Sequence, residues 1–192
     1  MKPIALLLAT SLATALPAFA DKKNAAMSAN IQTYFDGEEQ EGVAWMTIGS
    51  AGLTGGAAAL SQPGNFVKGF AGMTIGFGAV HTLIGVYLLS YTPSRVAALR
   101  AEFDADPRAL ATREARRMDG VIRTFKFLTV AEIALIAGSL VMIGVGAGVN
   151  ADYAIGAGTG LAIEALLTLA CDLFAWRRAR VYRAHLSAFL GG

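Results

Sequence analysis

A single cysteine, Cys171, stands in the 192 residues. That scarcity excludes an intramolecular disulfide and any zinc or haem-attachment motif built on paired cysteines. Cys171 is expected to be a small packing residue. Histidine is nearly as rare, with only His81 and His185. His185 falls in a polar tail, so a bis-histidine haem site within one chain is not expected. Charge is sparse as well: Asp, Glu, Lys and Arg make up 16% of the chain, against about a quarter in an ordinary soluble domain. The net charge of +2 is small. The arginine-rich stretches are interleaved with Glu102, Asp104, Asp106, Glu114 and Asp119, which leaves no continuous basic face for nucleic acid.

What is abundant is apolar sequence. Hydrophobic residues are 55% of the total and the mean hydropathy is +0.51. They concentrate in four stretches, residues 43–60, 66–89, 125–148 and 153–176. The last three, at about 20 residues or more, are long enough to cross a bilayer. Helix is the expected spanning form, because backbone groups in lipid must be satisfied within the segment. Ser61, Gln62, Pro63, Gly64 and Asn65 form a turn signal between the first two stretches. Asn150, Ala151 and Asp152 do the same between the last two. The expected product is an all-α integral membrane four-helix bundle of two antiparallel transmembrane hairpins.

The flanking segments are read separately. Residues 1–20 carry Lys2, an apolar run, and small residues at Ala18 and Ala20 before Asp21, the pattern of a signal peptide. Residues 21–42 read as a polar, exposed N-terminal arm. Residues 90–124 form a basic linker. Thr92 and Pro93 there are expected to start a short helix with Val96, Leu99 and Phe103 on one face. Asp106 and Pro107 are expected to cap a second helix running to Met118. Residues 177–192 form a basic tail, read as a continuation of the fourth helix into anionic headgroups. Trp45 and Trp176, with Tyr87, Tyr91, Tyr153 and Tyr182, are expected in an interfacial aromatic belt.

Two signals oppose each other on orientation. The excess of Lys and Arg on the linker and tail places that side in the cytoplasm, whereas a cleaved signal segment places the same side across the membrane. A retained first helix, or a first stretch that does not fully span, reconciles them.

Inside the apolar stretches sit His81, Glu132, Glu164 and Asp172. Ionisable groups at membrane depth are costly and are functional candidates by default. Glu164, Thr168, Cys171 and Asp172 share one helical face. Thr129, Glu132, Ile136 and Ser139 form a similar stripe, as do Thr74, Gly78, His81, Thr82 and Gly85, and Thr47, Ala51 and Thr54. Counted from the basic side, the depths of His81, Glu132, Asp172 and Glu164 are about 13, 10, 6 and 18 Å. The four are therefore expected to converge in the half of the bundle nearest the basic face. There they would bind a small ligand or cation, relay protons, or serve only as interhelical glue. One histidine with carboxylates is a conceivable ligand set, but the spacing matches no metal motif, and neither metal nor cofactor is specified.

Glycine pairs at 52/56, 72/76, 144/148 and 156/160 match the small-xxx-small pattern for close helix contact. No nucleophile–base pair supports a membrane enzyme acting on lipid or quinone. The layout of a signal-like residues 1–20, two hairpins and a basic linker resembles that of uncharacterised bacterial four-helix integral membrane proteins. The resemblance covers residues 42–178, rests on layout, and brings neither an activity nor functional residues. The expectation is thus a multi-pass protein of the bacterial inner (cytoplasmic) membrane with a polar cluster at His81, Glu132, Glu164 and Asp172. Its expected partners are the lipid bilayer, anionic lipids at the basic face, and a homo-oligomer or membrane partner, without nucleic acid. The alternative is a structural or assembly subunit of a larger membrane complex.

Overall fold

The computed structural model describes residues 3–191, with side chains described from residue 21 onward. The signal-segment reading of residues 1–20 lies outside the residues so described. Four helices account for nearly all of the chain: α1 (Pro3–Leu60), α2 (Asn65–Ala105), α3 (Pro107–Gly148) and α4 (Asp152–Gly191). No strand occurs among the described residues.

The turns follow from local chemistry. Between α1 and α2 the chain reverses at Gly64, whose φ of 114° lies in the left-handed region that favours glycine. Between α3 and α4 it reverses at Asn150, φ 54°; asparagine is among the few side-chain-bearing residues that tolerate this conformation. At the other end of the molecule, Asp106 alone separates α2 from α3. Its side chain accepts a hydrogen bond from the Ala109 amide at 2.9 Å, and Pro107 occupies the first helical position, where its missing N–H costs nothing.

Four helices here are long and apolar enough to cross a membrane. They are also too long for a membrane alone. At 1.5 Å per residue, the 41 residues of α2 extend about 60 Å, twice the thickness of a hydrocarbon core. Each helix therefore has an apolar half near the Gly64 and Asn150 turns and a charged half near Asp106. The parallel helices α2 and α4 form the central contact, and α1 and α3 pack outside them as hairpin partners.

In the apolar half the close approaches rest on small residues. Gly49 and Gly78 let α1 meet α2, Gly69 and Gly156 let α2 meet α4, and Gly158 lets α4 meet α3. The outer surface there is apolar and bare: Leu83 is 69% exposed, Phe127 71% and Phe174 73%. Exposed apolar surface of this extent marks contact with lipid or partner.

The charged half is built differently from the expected arm, linker and tail. Met27, Ile31, Tyr34 and Phe35 of α1 are buried, not displayed on an exposed arm. They pack with Val96, Leu99 and Phe103 of α2, Leu110 and Met118 of α3, and Tyr182, Leu186 and Phe189 of α4 in one hydrophobic core. The linker is not a pair of short separate helices. Helix α2 runs unbroken through Pro93, and α3 runs from Pro107 straight into the apolar half. Likewise, α4 continues to Gly191 with its apolar stripe turned into this core. The reason is amphipathicity on all four helices of the bundle: each extension has a stripe that buries only when the other three are present.

Candidate functional site

Of the four sequence-predicted residues, all are buried: His81 is 1% exposed, Glu132 5%, Glu164 5% and Asp172 9%. They lie in the apolar half on α2, α3 and α4. They do not form one four-membered cluster. Among the described residues no group of three or more His, Cys, Asp or Glu side chains is arranged to hold a metal ion. Instead there are two pairs.

The first pair joins α2 to α4. His81 Nδ1 lies 3.7 Å from Glu164 Oε2, while His81 Nε2 lies 3.1 Å from Thr168 Oγ1. The Thr168 hydroxyl donates to the Glu164 carbonyl oxygen at 2.8 Å. Its proton thus engaged, Thr168 can only accept from His81, which assigns the Nε2 position its hydrogen. The opposite ring nitrogen faces Glu164 and has no hydrogen-bond partner. A neutral imidazole here presents a bare Nδ1 to a carboxyl group, across a gap slightly too long for a direct hydrogen bond.

The second pair joins α3 to α4. The carboxyl groups of Glu132 and Asp172 face each other closely enough to interact. Two neighbouring carboxylates repel when both are ionised, which favours a proton on one of them. Glu132 Oε2 has no hydrogen-bond partner.

Trp45 completes the surroundings. It was expected in an interfacial belt but is 2% exposed. Its indole packs on His81 with centroids 4.6 Å apart, and Phe77 covers the imidazole from another side at 5.9 Å. Trp45 Nε1 donates to Glu41 Oε1 at 3.3 Å. The reading of Thr47, Ala51 and Thr54 as an inward stripe is also corrected: all three are exposed. Thr47 and Thr54 donate back to the Val43 and Ser50 carbonyls, each at 2.8 Å, which satisfies a hydroxyl on an apolar exterior. The inward face of α1 is carried by Trp45, Gly49 and Gly56 instead.

From Glu41 the polar groups continue into the charged half. Arg178 pairs with Glu41, donates to the Gly37 carbonyl at 2.9 Å, and lies over the Tyr34 ring at 5.6 Å. Tyr34 lies beside Glu38 and stacks on Tyr182 at 4.5 Å. Burial, and then the neighbouring Glu38 charge, raise the Tyr34 phenol above its ordinary range. Burial first, and then Glu114, do the same to Tyr182. Burial also raises the Glu38 carboxyl, against the opposing influence of the Tyr34 hydroxyl and the charges of Arg117 and Arg178.

At the centre of this half sits Glu114, 1% exposed. Arg117 binds it through Nε at 2.9 Å and 3.0 Å and through Nη2 at 2.6 Å, and Arg95 reaches it at 3.4 Å. Burial opposes the Arg117 charge, but the Glu114 hydrogen bonds and charge more than offset this, so the guanidinium is held more firmly protonated than usual. The sequence reading counted Glu114 only as an interleaved acid. Its signal was available: Leu110, Glu114 and Met118 fall at i, i+4 and i+8, on one helical face.

No protein-family model, curated protein or solved structure matches this chain.

Proposed function

We propose that this chain is a multi-pass protein of a bacterial inner membrane, with residues 1–20 as its signal segment, and that its polar interior binds a small cation, a proton foremost. The observation that carries the reading is the His81 site. One ring nitrogen is fixed by Thr168, and the other is left facing Glu164 without a partner at 3.7 Å. A single proton, or one small ion, fits between two such groups. The Glu132 and Asp172 pair gives a second place for a proton one helix away, and Glu41 and Arg178 lead from there to the charged half. Ionisable groups at this depth pair with one another along proton and ion paths in membrane proteins generally.

Trp45 supplies the test, since its indole lies on His81. In a Trp176→Phe background Trp45 is the single tryptophan, and its fluorescence reports protonation of the imidazole beneath it. Titration from about pH 4 to pH 9 is expected to give one transition, lost in His81→Gln and displaced in Glu164→Gln. A Trp45 signal that titrates identically in all three proteins contradicts the proposal.

A second reading, a structural or assembly subunit, is favoured by a separate observation. The glycine pairs 72/76 and 144/148 do not pack inside the bundle. Gly76, Gly144 and Gly148 have open space where a Cβ would be, which leaves small-residue faces for another membrane helix.

A further inference from the structure

Where the charged half meets the apolar half, α3 and α4 part to leave an open cleft of about 560 Å³. Ile122 and Lys126 line it from α3, and Trp176, Arg180, Arg183 and Ser187 from α4. The two stripes face each other by helical spacing: Ile122 and Lys126 are four apart, as are Trp176 and Arg180. A second cleft of about 590 Å³ shares Trp176 and Arg180 and extends to Leu173 and Arg177.

The charges in the cleft are not all spent. Arg183 is bound by Asp119 at 2.8 Å, a pair that holds the Asp119 carboxyl below its usual range. Lys126 and Arg180 have no ion-pair partner among the described residues and are exposed. Arg180 lies over the Trp176 ring at 5.8 Å. Trp176 Nε1 is a buried donor without an acceptor. The cleft therefore offers two cations beside an indole ring at the level where the apolar exterior begins. Immediately beyond it lies Leu173, 43% exposed.

We propose that this α3–α4 cleft binds the phosphate of an anionic phospholipid, with Lys126 and Arg180 at the headgroup, Trp176 beside them and the acyl chains lying along Leu173. A soluble phosphate would use the cations but would leave the apolar shelf uncovered. A zwitterionic lipid would cover the shelf but bring its own cation to the charges of Lys126 and Arg180. Basic pockets between helices at the membrane surface recognise lipid headgroups by this combination. The site stands apart from the His81 interior and does not depend on it.

The test is lipid retention by the full-length protein in nanodiscs, measured as competition between phosphatidylglycerol and phosphatidylcholine. The parent is expected to enrich phosphatidylglycerol. Lys126→Gln with Arg180→Gln is expected to weaken that preference about 10-fold or more, and Trp176→Phe to weaken it less while keeping the ring. Arg100→Gln with Arg116→Gln removes the same charge from exposed positions of the charged half away from the cleft, and is expected to leave the preference intact. An equal loss in that control pair overturns the proposal, because the effect is then net charge alone. Displacement of phosphatidylglycerol by inorganic phosphate at matched concentration also overturns it, in favour of a soluble anion.

Discussion

The two halves of this bundle are built inside out with respect to each other. In the charged half, large apolar side chains fill the centre, with Leu99 and Leu186 completely buried, and charges cover the outside. In the apolar half most large side chains face outward, and glycines, hydroxyls and carboxyls meet in the middle, with Trp45 and His81 among them. The same four helices pass through both halves without a break, so the inversion lies wholly in the side chains. Water drives apolar groups inward. Lipid exerts no such drive, and helices then associate through close backbone approach and interhelical hydrogen bonds. The difference gives each half its own work: the charged half holds the helices together by burial, which leaves the apolar half able to carry polar groups in its interior.

This contrast can be broken most severely at Glu114, the one carboxylate among the described residues that is buried in the core of the charged half. Arg117→Ala strips Glu114, 1% exposed, of the guanidinium that binds it. A loss of about 3–5 kcal/mol is expected for a buried pair stripped of one partner, read as unfolding free energy in detergent. Replacing leucines sharpens the comparison. Leu186→Ala is expected to cost about 3 kcal/mol by opening a cavity, whereas Leu83→Ala, on the bare exterior of the other half, is expected to change stability by less than about 0.5 kcal/mol. Similar costs at the two positions contradict the inversion.

Glycines give the next contrast. A Cβ at Gly78 would lie 2.8 Å from both the Gly49 carbonyl oxygen and the Leu53 amide nitrogen, so Gly78→Ala must push α1 from α2 at about 1–3 kcal/mol. Gly76 meets nothing within 4 Å, and Gly76→Ala is expected to stabilise by about 0.5 kcal/mol through helix propensity. Thermal midpoints of the two variants should therefore move in opposite directions.

The smallest effect is at Glu38. Its carboxyl is raised in the folded state, chiefly by burial, so the native protein binds more protons there than the unfolded chain. Stability from this group falls as pH rises from the ordinary carboxylate value through the raised one. Glu38→Gln removes that slope. The variant should match its parent below about pH 4 and exceed it modestly at neutral pH. Asp119 contributes the opposite slope, being lowered by Arg183, so the variant-minus-parent difference is the quantity to plot.

Much of this architecture was legible in the sequence. The four apolar stretches and both tight turns were set by Gly64, Asn150 and their neighbours, and Asp106 with Pro107 marked a helix start. The inward positions of His81, Glu132, Glu164 and Asp172 followed from helical spacing. Their sorting into two pairs did not, because it depends on how α2, α3 and α4 are rotated about their own axes, and depth along a helix carries no information on rotation. Trp45 was misplaced for a related reason. An aromatic near a helix end satisfies an interfacial pattern equally well whether it points outward or onto His81. The second core was missed because Met27, Ile31 and Phe35 look like isolated apolar residues in a polar arm. Only the other three helices make them a core. Glu41 and Arg178 each sit next to an apolar stretch and not inside one, so their pairing across α1 and α4 is a tertiary fact.

The inversion can be measured directly with spin labels placed on a Cys171→Ala background at Leu83 and Leu140, outside the apolar half, and at Ala98 and Arg116, outside the charged half. In liposomes, Leu83 and Leu140 are expected to show high collision rates with oxygen and low rates with a water-soluble nickel chelate, and Ala98 and Arg116 the reverse. Equal chelate access at all four positions would place the whole bundle in water and contradict a lipid-facing half with a polar interior.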